Sequence, residues 1–104
     1  DKCSPLIQQL FFSLDKELQS FGKYQIIPAN SSIQFKSASV FLTTRFKSKY
    51  MELEFHSVHP DISLKTSHSV KLSNRRYLHK LPIRIESDLT PELVNILLKS
   101  YEIN

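Results

Sequence analysis

The chain has 104 residues, 40% of them hydrophobic, and a net charge of +4 from 14 Lys+Arg against 10 Asp+Glu. Its apolar runs are far shorter than the roughly 20 residues of a membrane span, and its single cysteine excludes an internal disulfide, so we expect a soluble, cytoplasmic protein without membrane contacts. One core fits this length, and Asp1 stands first in place of methionine, so we expect a single domain, 1–104, from the C-terminal part of a longer protein.

An amphipathic helix is predicted at the beginning of the chain. Ser4 and Pro5 suit a helix start, as a cap and a favoured first-turn residue. Apolar residues then recur at spacings of three and four along one stripe: Leu6, Ile7, Leu10, Phe11, Leu14, Leu18 and Phe21. The only glycine, Gly22, follows this stripe and is expected to end the helix, because glycine reaches positive φ without a Cβ clash.

Period-two alternation predicts several strands after the helix. A β-like run covers 24–28, a turn follows, and the next strand begins at Ile33. Two further runs, Val40–Phe46 and Met51–Phe55, alternate apolar and polar residues on either side of a four-residue connection, 47–50. Alternation places the apolar side chains on one side of a strand, so the two runs predict a hairpin with one dry face and one wet face.

The apolar parity of this hairpin predicts its register. Only one pairing keeps the apolar side chains together, since a slip of one residue would turn them to the other face. The predicted pairs are Phe46 with Met51, Thr44 with Leu53, Leu42 with Phe55 and, on the outer face, Arg45 with Glu52 and Phe41 with His56. An ion pair between Arg45 and Glu52 would contribute about 0.2–1 kcal/mol, which is typical of an ordinary sheet surface.

The last third of the chain predicts a loop and two more strands. The loop is expected over 59–66, and the strand 69–73 after it places Val70 and Leu72 inward. After a polar turn at 73–76, alternation puts five residues on one face of the next strand: Tyr77, His79, Leu81, Ile83 and Ile85. Pro82 cannot donate a ladder hydrogen bond, which predicts an edge strand or a local bulge.

A second amphipathic helix completes the predicted fold. It begins at Pro91 after Thr90, has Glu92 in its first turn, and carries the apolar stripe Leu93, Val94, Leu97, Leu98 and Tyr101. Because each predicted strand has one apolar face, we expect an α+β, two-layer fold: helix, about five mainly antiparallel strands, helix, with both helices on one face of the sheet. The opposite face is expected to stay open to solvent.

Three side chains at every second position, Glu52, Glu54 and His56, make a candidate acid/base site about 7 Å apart along one strand. Catalytic carboxylates need a partly enclosed place that separates their pKa values, so an open sheet face favours a merely solvated row. His79 falls on the apolar face, where we expect a histidine hydrogen-bonded within the fold. The four histidines lack zinc spacing and one glycine excludes a Gly-rich phosphate loop, so no metal and no cofactor are predicted and an enzyme is disfavoured.

Basic residues concentrate at two turns and define the candidate binding set. Its members are Arg45, Lys47, Lys49, Arg75, Arg76, Tyr77, His79 and Arg84. The leading hypothesis is a non-enzymatic binding or accessory domain that contacts a protein partner, or a neighbouring domain of the same chain, through the open sheet face. Nucleic-acid binding through the basic turns is the alternative, although the charges on that face are nearly balanced. The acid/base enzyme site at Glu52, Glu54 and His56 is a weaker third hypothesis.

Several segments resemble an uncharacterised bacterial domain family. They are 33–36, 41–45, 50–55, 73–79 and 92–101, of which Leu53-Glu54-Phe55 and Asn74-Arg75-Arg76-Tyr77-x-His79 are the most specific. Members occupy the C-terminal part of proteins labelled "predicted transport protein", and the resemblance implies an α+β domain of unknown function with no reaction to carry over. The order of elements is also loosely similar to that of YdhG- and YjbR-like α+β domains, some of which are labelled DNA-binding.

Overall fold

Two helices and six strands make up the described residues, 5–58 and 68–103, of the computed structural model. Their bounds in chain order are Pro5–Leu18 (α1), Gln25–Pro28 (β1), Ser32–Lys36 (β2), Val40–Phe46 (β3), Met51–Ser57 (β4), His68–Ser73 (β5), Arg76–Ile83 (β6) and Pro91–Ile103 (α2). Short 3-10 turns at Gln19–Phe21 and Glu86–Asp88 follow α1 and β6. The predicted loop 59–66, Cys3 and Ser4 lie outside the described residues.

The described strands form one antiparallel sheet in the order β1-β2-β3-β4-β6-β5. Both helices and one face of the sheet contribute to a single hydrophobic cluster, so both helices lie on that face. The buried members are Ile7, Leu10, Leu14, Leu18, Phe35, Phe41, Leu42, Met51, Leu53, Phe55, Leu81, Ile83, Leu93 and Leu97. The predicted α+β, two-layer fold is confirmed, with six strands in place of about five.

The buried stripe of α1 follows the predicted spacing from Ile7 to Leu18. Leu6 is an exception: it is exposed, because it lies about 100° around the helix from Ile7 and so points away from the sheet. After α1 the 3-10 turn ends at Gly22, which adopts φ +134°. Gly22 therefore ends the helical segment as predicted, in a conformation that side chains disfavour.

The second helix begins as its sequence predicts. The side-chain hydroxyl of Thr90 accepts a hydrogen bond from the backbone N–H of Leu93 at 3.1 Å, which is the geometry of a helix N-cap. Leu93, Leu97 and Ser100 form the buried side of α2. Tyr101, in the last turn, is half-buried and packs against Phe21 with ring centroids 5.8 Å apart.

The β3–β4 hairpin has the predicted register. Phe46 pairs with Met51, Thr44 with Leu53, and Leu42 with Phe55. The connection 47–50 has four residues and is closed by a hydrogen bond from the N–H of Lys47 to the carbonyl of Tyr50 at 2.9 Å. Parity alone was sufficient here because every apolar residue of both strands agrees on one face.

The outward position predicted for Phe41 is wrong. Phe35 of β2 pairs with Leu42, yet the next residue, Lys36, pairs with Val40, so Phe41 is the extra residue of a β-bulge. The bulge turns the ring of Phe41 to the helix side, where it is 1% exposed. Its centroid lies 4.9 Å from that of Tyr101, edge to face.

Ser100 of α2 bridges the ladder at this bulge. Its hydroxyl donates to the carbonyl of Phe41 at 2.8 Å and accepts from the backbone N–H of His56 at 3.3 Å. In an uninterrupted ladder Phe41 would lie opposite His56, so the hydroxyl stands between two backbone groups that would otherwise meet directly. A helix side chain thereby connects β3 to β4.

The inward positions predicted for Val70 and Leu72 are wrong, since both side chains are exposed. Val70 pairs with Leu78 on the face away from the helices, whereas Ser69 pairs with the buried His79. The hydroxyl of Ser69 is a hydrogen-bond partner of the His79 ring, so the register of β5 satisfies a buried polar group in preference to apolar parity.

The two alternatives predicted around Pro82, an edge strand or a local bulge, are both wrong, since the pairing of β4 with β6 continues through Pro82 without a register shift. β6 lies between β4 and β5. Pro82 pairs with Glu52 of β4 and lies beyond the last described pair between β6 and β5, which is where a strand tolerates a residue without an N–H donor. Because β6 ends at Ile83, Ile85 is exposed and does not continue the apolar face.

Candidate binding surface

The sheet face opposite the helices is the candidate binding surface, here named the outer face. Its central row runs across the sheet from Gln34 through Thr43 and Glu54 to Lys80. A second row contains Ser32, Arg45, Glu52 and Pro82. Neither α1 nor α2 packs on this side, since both belong to the cluster on the inner face. Within the described chain, the outer face is therefore open, as predicted.

Arg45 forms its ion pair diagonally. Arg45 and Glu52 are direct register partners, as predicted, but Nε of Arg45 donates to Oε1 of Glu54 at 3.2 Å. Diagonal neighbours on antiparallel strands lie about 7–8 Å apart, within reach of long side chains. The expected Arg45–Glu52 contact is thus corrected to Arg45–Glu54, whose side chains are 41% and 19% exposed.

The middle of the outer face is well covered by its own side chains. Thr43, between Gln34 and Glu54 in the register, is only 6% exposed. Ser32, the register partner of Arg45, is buried as well. Because small polar residues are packed among longer ones, the side chains of this face are held in defined positions.

The three acid/base candidates share the outer face of β4, as predicted, but differ in surroundings. Glu54 binds Arg45. His56 is half-buried, and its Nδ1 has no hydrogen-bond partner among the described residues. Burial lowers the pKa of His56 and the positive charge of Arg76 lowers it further, against the opposing effect of Glu54. His56 is therefore neutral near pH 7, and an acid/base role for the row stays a prediction.

His79 is fully buried and held by two serines. The hydroxyl oxygens of Ser57 and Ser69 lie 2.8 Å from Nε2 and Nδ1 of its ring, respectively. A neutral imidazole has one donor and one acceptor nitrogen, so one hydroxyl accepts and the other donates. The predicted hydrogen-bonded histidine is confirmed. Because its ring is enclosed, His79 cannot touch a partner directly and supports the surface by joining β4, β5 and β6.

The structure separates the basic candidates into two groups at opposite ends of the sheet. Arg75 and Arg76 belong to the tight β5–β6 turn. Lys47 and Lys49 lie in the β3–β4 connection, at the same end as Arg84. Since β6 has eight residues, these ends are about 25 Å apart. The candidate binding residues predicted from the sequence therefore form two separate surfaces. Tyr77 lies beside the first and Arg45 beside the second.

Arg84 stacks on an aromatic ring at its end of the sheet. Its guanidinium carbon lies 5.2 Å from the ring centroid of Tyr50, within the range of a cation–π contact. The nearby backbone is fixed by Asp88, whose carboxylate accepts from the N–H groups of Arg84 and Ile85 at 2.9 and 3.3 Å. This end combines cations with the acidic residues of the 3-10 turn after β6.

Two cations outside the candidate binding set, Lys23 and Lys36, lie at the same end as Arg75 and Arg76. Lys36 is the last residue of β2 and pairs with Gln25 at the start of β1, and Lys23 lies two residues before Gln25. Alternate connections of an antiparallel sheet return to the same end, so counting strand reversals along the predicted strands could have found them.

Other features of the described chain offer no competing site. Two shallow depressions lie on the helix layer, one beside Phe12 and Glu86 and one between Phe21 and Pro91, and neither is lined by a member of the candidate set. Among the described residues there is no group of three or more His, Cys, Asp or Glu side chains that could hold a metal ion. No helix within 5–58 or 68–103 is long and apolar enough to cross a membrane.

The fold and the outer face together define a small α+β domain with a helix-covered inner face and an open outer face. The family model described as "Domain of unknown function (DUF5655)" matches residues 2–104, and the chain belongs to that family. This confirms the resemblance to an uncharacterised domain family. No curated protein and no solved structure matches the chain.

Proposed function

We propose that the domain is a non-enzymatic binding or accessory module whose outer face contacts a protein partner or a neighbouring domain of the same polypeptide. The main support is the half-buried Arg45–Glu54 ion pair, 3.2 Å long, in the middle of a face that neither helix covers. Side chains already ordered in the free protein lose little conformational entropy on binding. Val70 and Leu78, paired at the β5–β6 side, add apolar area.

Mixed charge on the outer face favours a protein over a nucleic acid at this surface. The face carries the cations Lys36, Arg45 and Lys80 and the acids Glu52 and Glu54. Protein–protein interfaces combine apolar, polar and paired charged groups, whereas nucleic-acid interfaces are much more positive. The proposal includes a cytoplasmic location and a place in the C-terminal part of a longer protein, where a neighbouring domain is available as the partner.

Site-specific photo-cross-linking in the natural polypeptide tests the proposal. A photo-reactive phenylalanine analogue is placed at Gln34 or Glu52 on the outer face and, as a matched control, at Gln9, which is exposed on α1. We expect the two outer-face positions to cross-link to one discrete protein or domain, identified by mass spectrometry, and the Gln9 position not to.

Charge reversal on the purified pair of proteins then checks the contact. Arg45→Glu removes the ion pair and is expected to weaken binding of the cross-linked partner at least about tenfold, the usual scale for loss of an ordered interfacial charge. Lys16→Glu, on the exposed side of α1, makes the same charge change and is expected to leave binding within about twofold. Equal cross-linking from Gln9, or binding insensitive to Arg45→Glu, contradicts the proposal.

The acid/base alternative has its own test. If Glu54 were a catalytic group, Glu54→Gln would abolish a turnover measured with the natural polypeptide. The matched variant Glu52→Gln would show which of the two carboxylates that turnover requires. Since the carboxylate of Glu54 forms an ion pair with Arg45, we expect Glu54→Gln to change the free energy of unfolding slightly. We expect no turnover from either the wild type or the variant.

A further inference from the structure

One end of the sheet gathers four cations on its described strand ends and turns, while Asp15, which accepts a hydrogen bond from the hydroxyl of Tyr24 there, belongs to the helix layer. The described segments that meet there are 22–25, 36–40, 56–58 and 73–77, as the pairs of β1 with β2 and of β4 and β5 with β6 show. They contain Lys23, Lys36, Arg75 and Arg76 and no Asp or Glu. We name these four residues and the backbone between them the hairpin-end surface. They come from positions up to 53 residues apart in sequence, so only the fold assembles them.

The opposite end of the sheet has a different balance. There Lys47, Lys49 and Arg84 share the surface with Glu86 and Asp88 of the 3-10 turn after β6. Asp88 is bound to the backbone next to Arg84, and Glu86 accepts a hydrogen bond from Ser13 at 2.7 Å. Fixed acids beside these cations oppose a polyanion, whereas the described strand ends and turns of the hairpin-end surface present none.

We infer that the hairpin-end surface binds the phosphate backbone of a nucleic acid. This inference goes beyond the proposed function, because it names a different class of partner and a surface that has only Lys36 in common with the cations counted on the outer face. Four cations held on one rim match a polymer that presents a phosphate every 3.4 Å or so along a strand. The sequence alternative that used both basic turns together is thereby replaced by one end of the sheet.

The positions of these cations are fixed by rigid backbone. Lys36 and Arg76 are strand residues, and Arg75 lies in a two-residue turn between Ser73 and Arg76. β2 and β6 are three strand spacings apart, so Lys36 and Arg76 are anchored about 14 Å from each other. That separation spans several phosphates of one strand, so the cations can contact different phosphates simultaneously and release several counterions.

Fluorescence anisotropy with the whole domain and labelled 20-nucleotide single-stranded DNA, duplex DNA and RNA tests the inference. At about 50 mM salt we expect micromolar binding to at least one of them, with an affinity that falls steeply with salt, by a log–log slope of up to about −3 to −4 for four phosphate contacts. The double variant Lys36→Gln, Arg75→Gln is expected to weaken binding at least about tenfold and to reduce the slope by about 1.5–2.

The double variant Lys47→Gln, Lys49→Gln is the matched control, because it removes the same charge from the opposite end. It is expected to change affinity less than about threefold, through long-range attraction alone. Thermal unfolding of both variants is compared with the wild type, so that a loss of binding is not a loss of fold.

Three results overturn the inference. They are equal losses in both double variants, no anisotropy change at tens of micromolar protein in 50 mM salt, and binding to phosphatidylserine vesicles that exceeds binding to nucleic acid. The vesicle arm is included because Val58 and Leu72 are exposed near the same end. Arg45→Glu on the outer face is expected to leave nucleic-acid affinity within about threefold, so failure here and failure of the proposed protein contact are separable.

Discussion

The hydroxyl of Tyr101 occupies the space that a side chain at Gly22 would need. A Cβ built on Gly22 would lie 2.8 Å from Oη of Tyr101, and the same hydroxyl donates to the carbonyl of Lys23 at 2.9 Å. Gly22 also adopts φ +134°. The chain therefore leaves the 3-10 turn after α1 in a conformation that side chains rarely adopt, and next to a tyrosine hydroxyl that would have to shift for any side chain at this position.

Gly22→Ala is expected to lower the free energy of unfolding by about 1–3 kcal/mol, because the substitution adds backbone strain and a steric clash. Urea unfolding followed by circular dichroism measures it. In a Tyr101→Phe background the clash with the hydroxyl is absent and only the backbone strain remains, so the same substitution should cost less. Equal costs in both backgrounds would show that Tyr101 has no part in the restriction.

Removal of the Ser100 hydroxyl is expected to destabilise the protein. Ser100→Ala leaves the carbonyl of Phe41 and the N–H of His56 without the bridge between β3 and β4, a loss of about 1–3 kcal/mol for buried polar groups. Ser20→Ala is the control: its hydroxyl bonds to the carbonyl of Glu17 on an exposed turn, so the change should stay within about 0.5 kcal/mol. Indistinguishable urea midpoints for the two variants would refute the bridging role.

Ionisation of Tyr24 is expected to be coupled to unfolding. Burial, followed by the hydrogen bond to and the negative charge of Asp15, raises the pKa of Tyr24 well above its usual value. A group whose folded pKa is raised contributes stability below its unfolded pKa of about 10 and loses it as the pH rises further. The urea midpoint of the wild type should therefore fall more steeply above pH 10 than that of Tyr24→Phe. Parallel pH profiles would contradict this assignment.

Stability is expected to fall on mild acidification through His56. Burial is the main reason that the pKa of His56 is lowered, followed by the charge of Arg76. Its contribution to stability is present above the unfolded pKa of about 6.5 and is lost as the pH falls through and below that value. By NMR titration, Arg76→Gln should raise the pKa of the His56 ring, whereas Arg75→Gln, in the exposed turn, should move it less. The reverse order would exclude Arg76 as the neighbouring charge.

Local alternation predicted much of the sheet because the evidence for it is local. Each apolar residue from Leu42 to Phe55 supports the same register, so the β3–β4 pairing followed from parity. The bulge at Phe41 did not, since its bridging group, Ser100, lies 59 residues further along the chain. A sequence pattern contains no sign that a distant helix will supply a hydroxyl to one rung of a ladder.

The prediction for β5, at the edge of the sheet, was wrong for a different reason. In β5 the apolar parity of Val70 competes with the need of His79 for a hydrogen-bond partner, and the hydroxyl of Ser69 satisfies that need. Burying an unsatisfied imidazole costs more than exposing one valine at an edge. The candidate binding residues were grouped by proximity in sequence, and the structure divides them because Arg75 and Arg84 lie at opposite ends of one strand.

The outermost helices close over the sheet from both directions of the chain. Ser13 reaches Glu86, 73 positions away, and Tyr101 reaches Lys23, 78 positions away. During synthesis the described strands leave the ribosome before α2 does. The apolar side chains that α2 covers on the inner face therefore stay exposed until α2 emerges. Burial of the inner face of this domain is therefore complete only once α2 is in place.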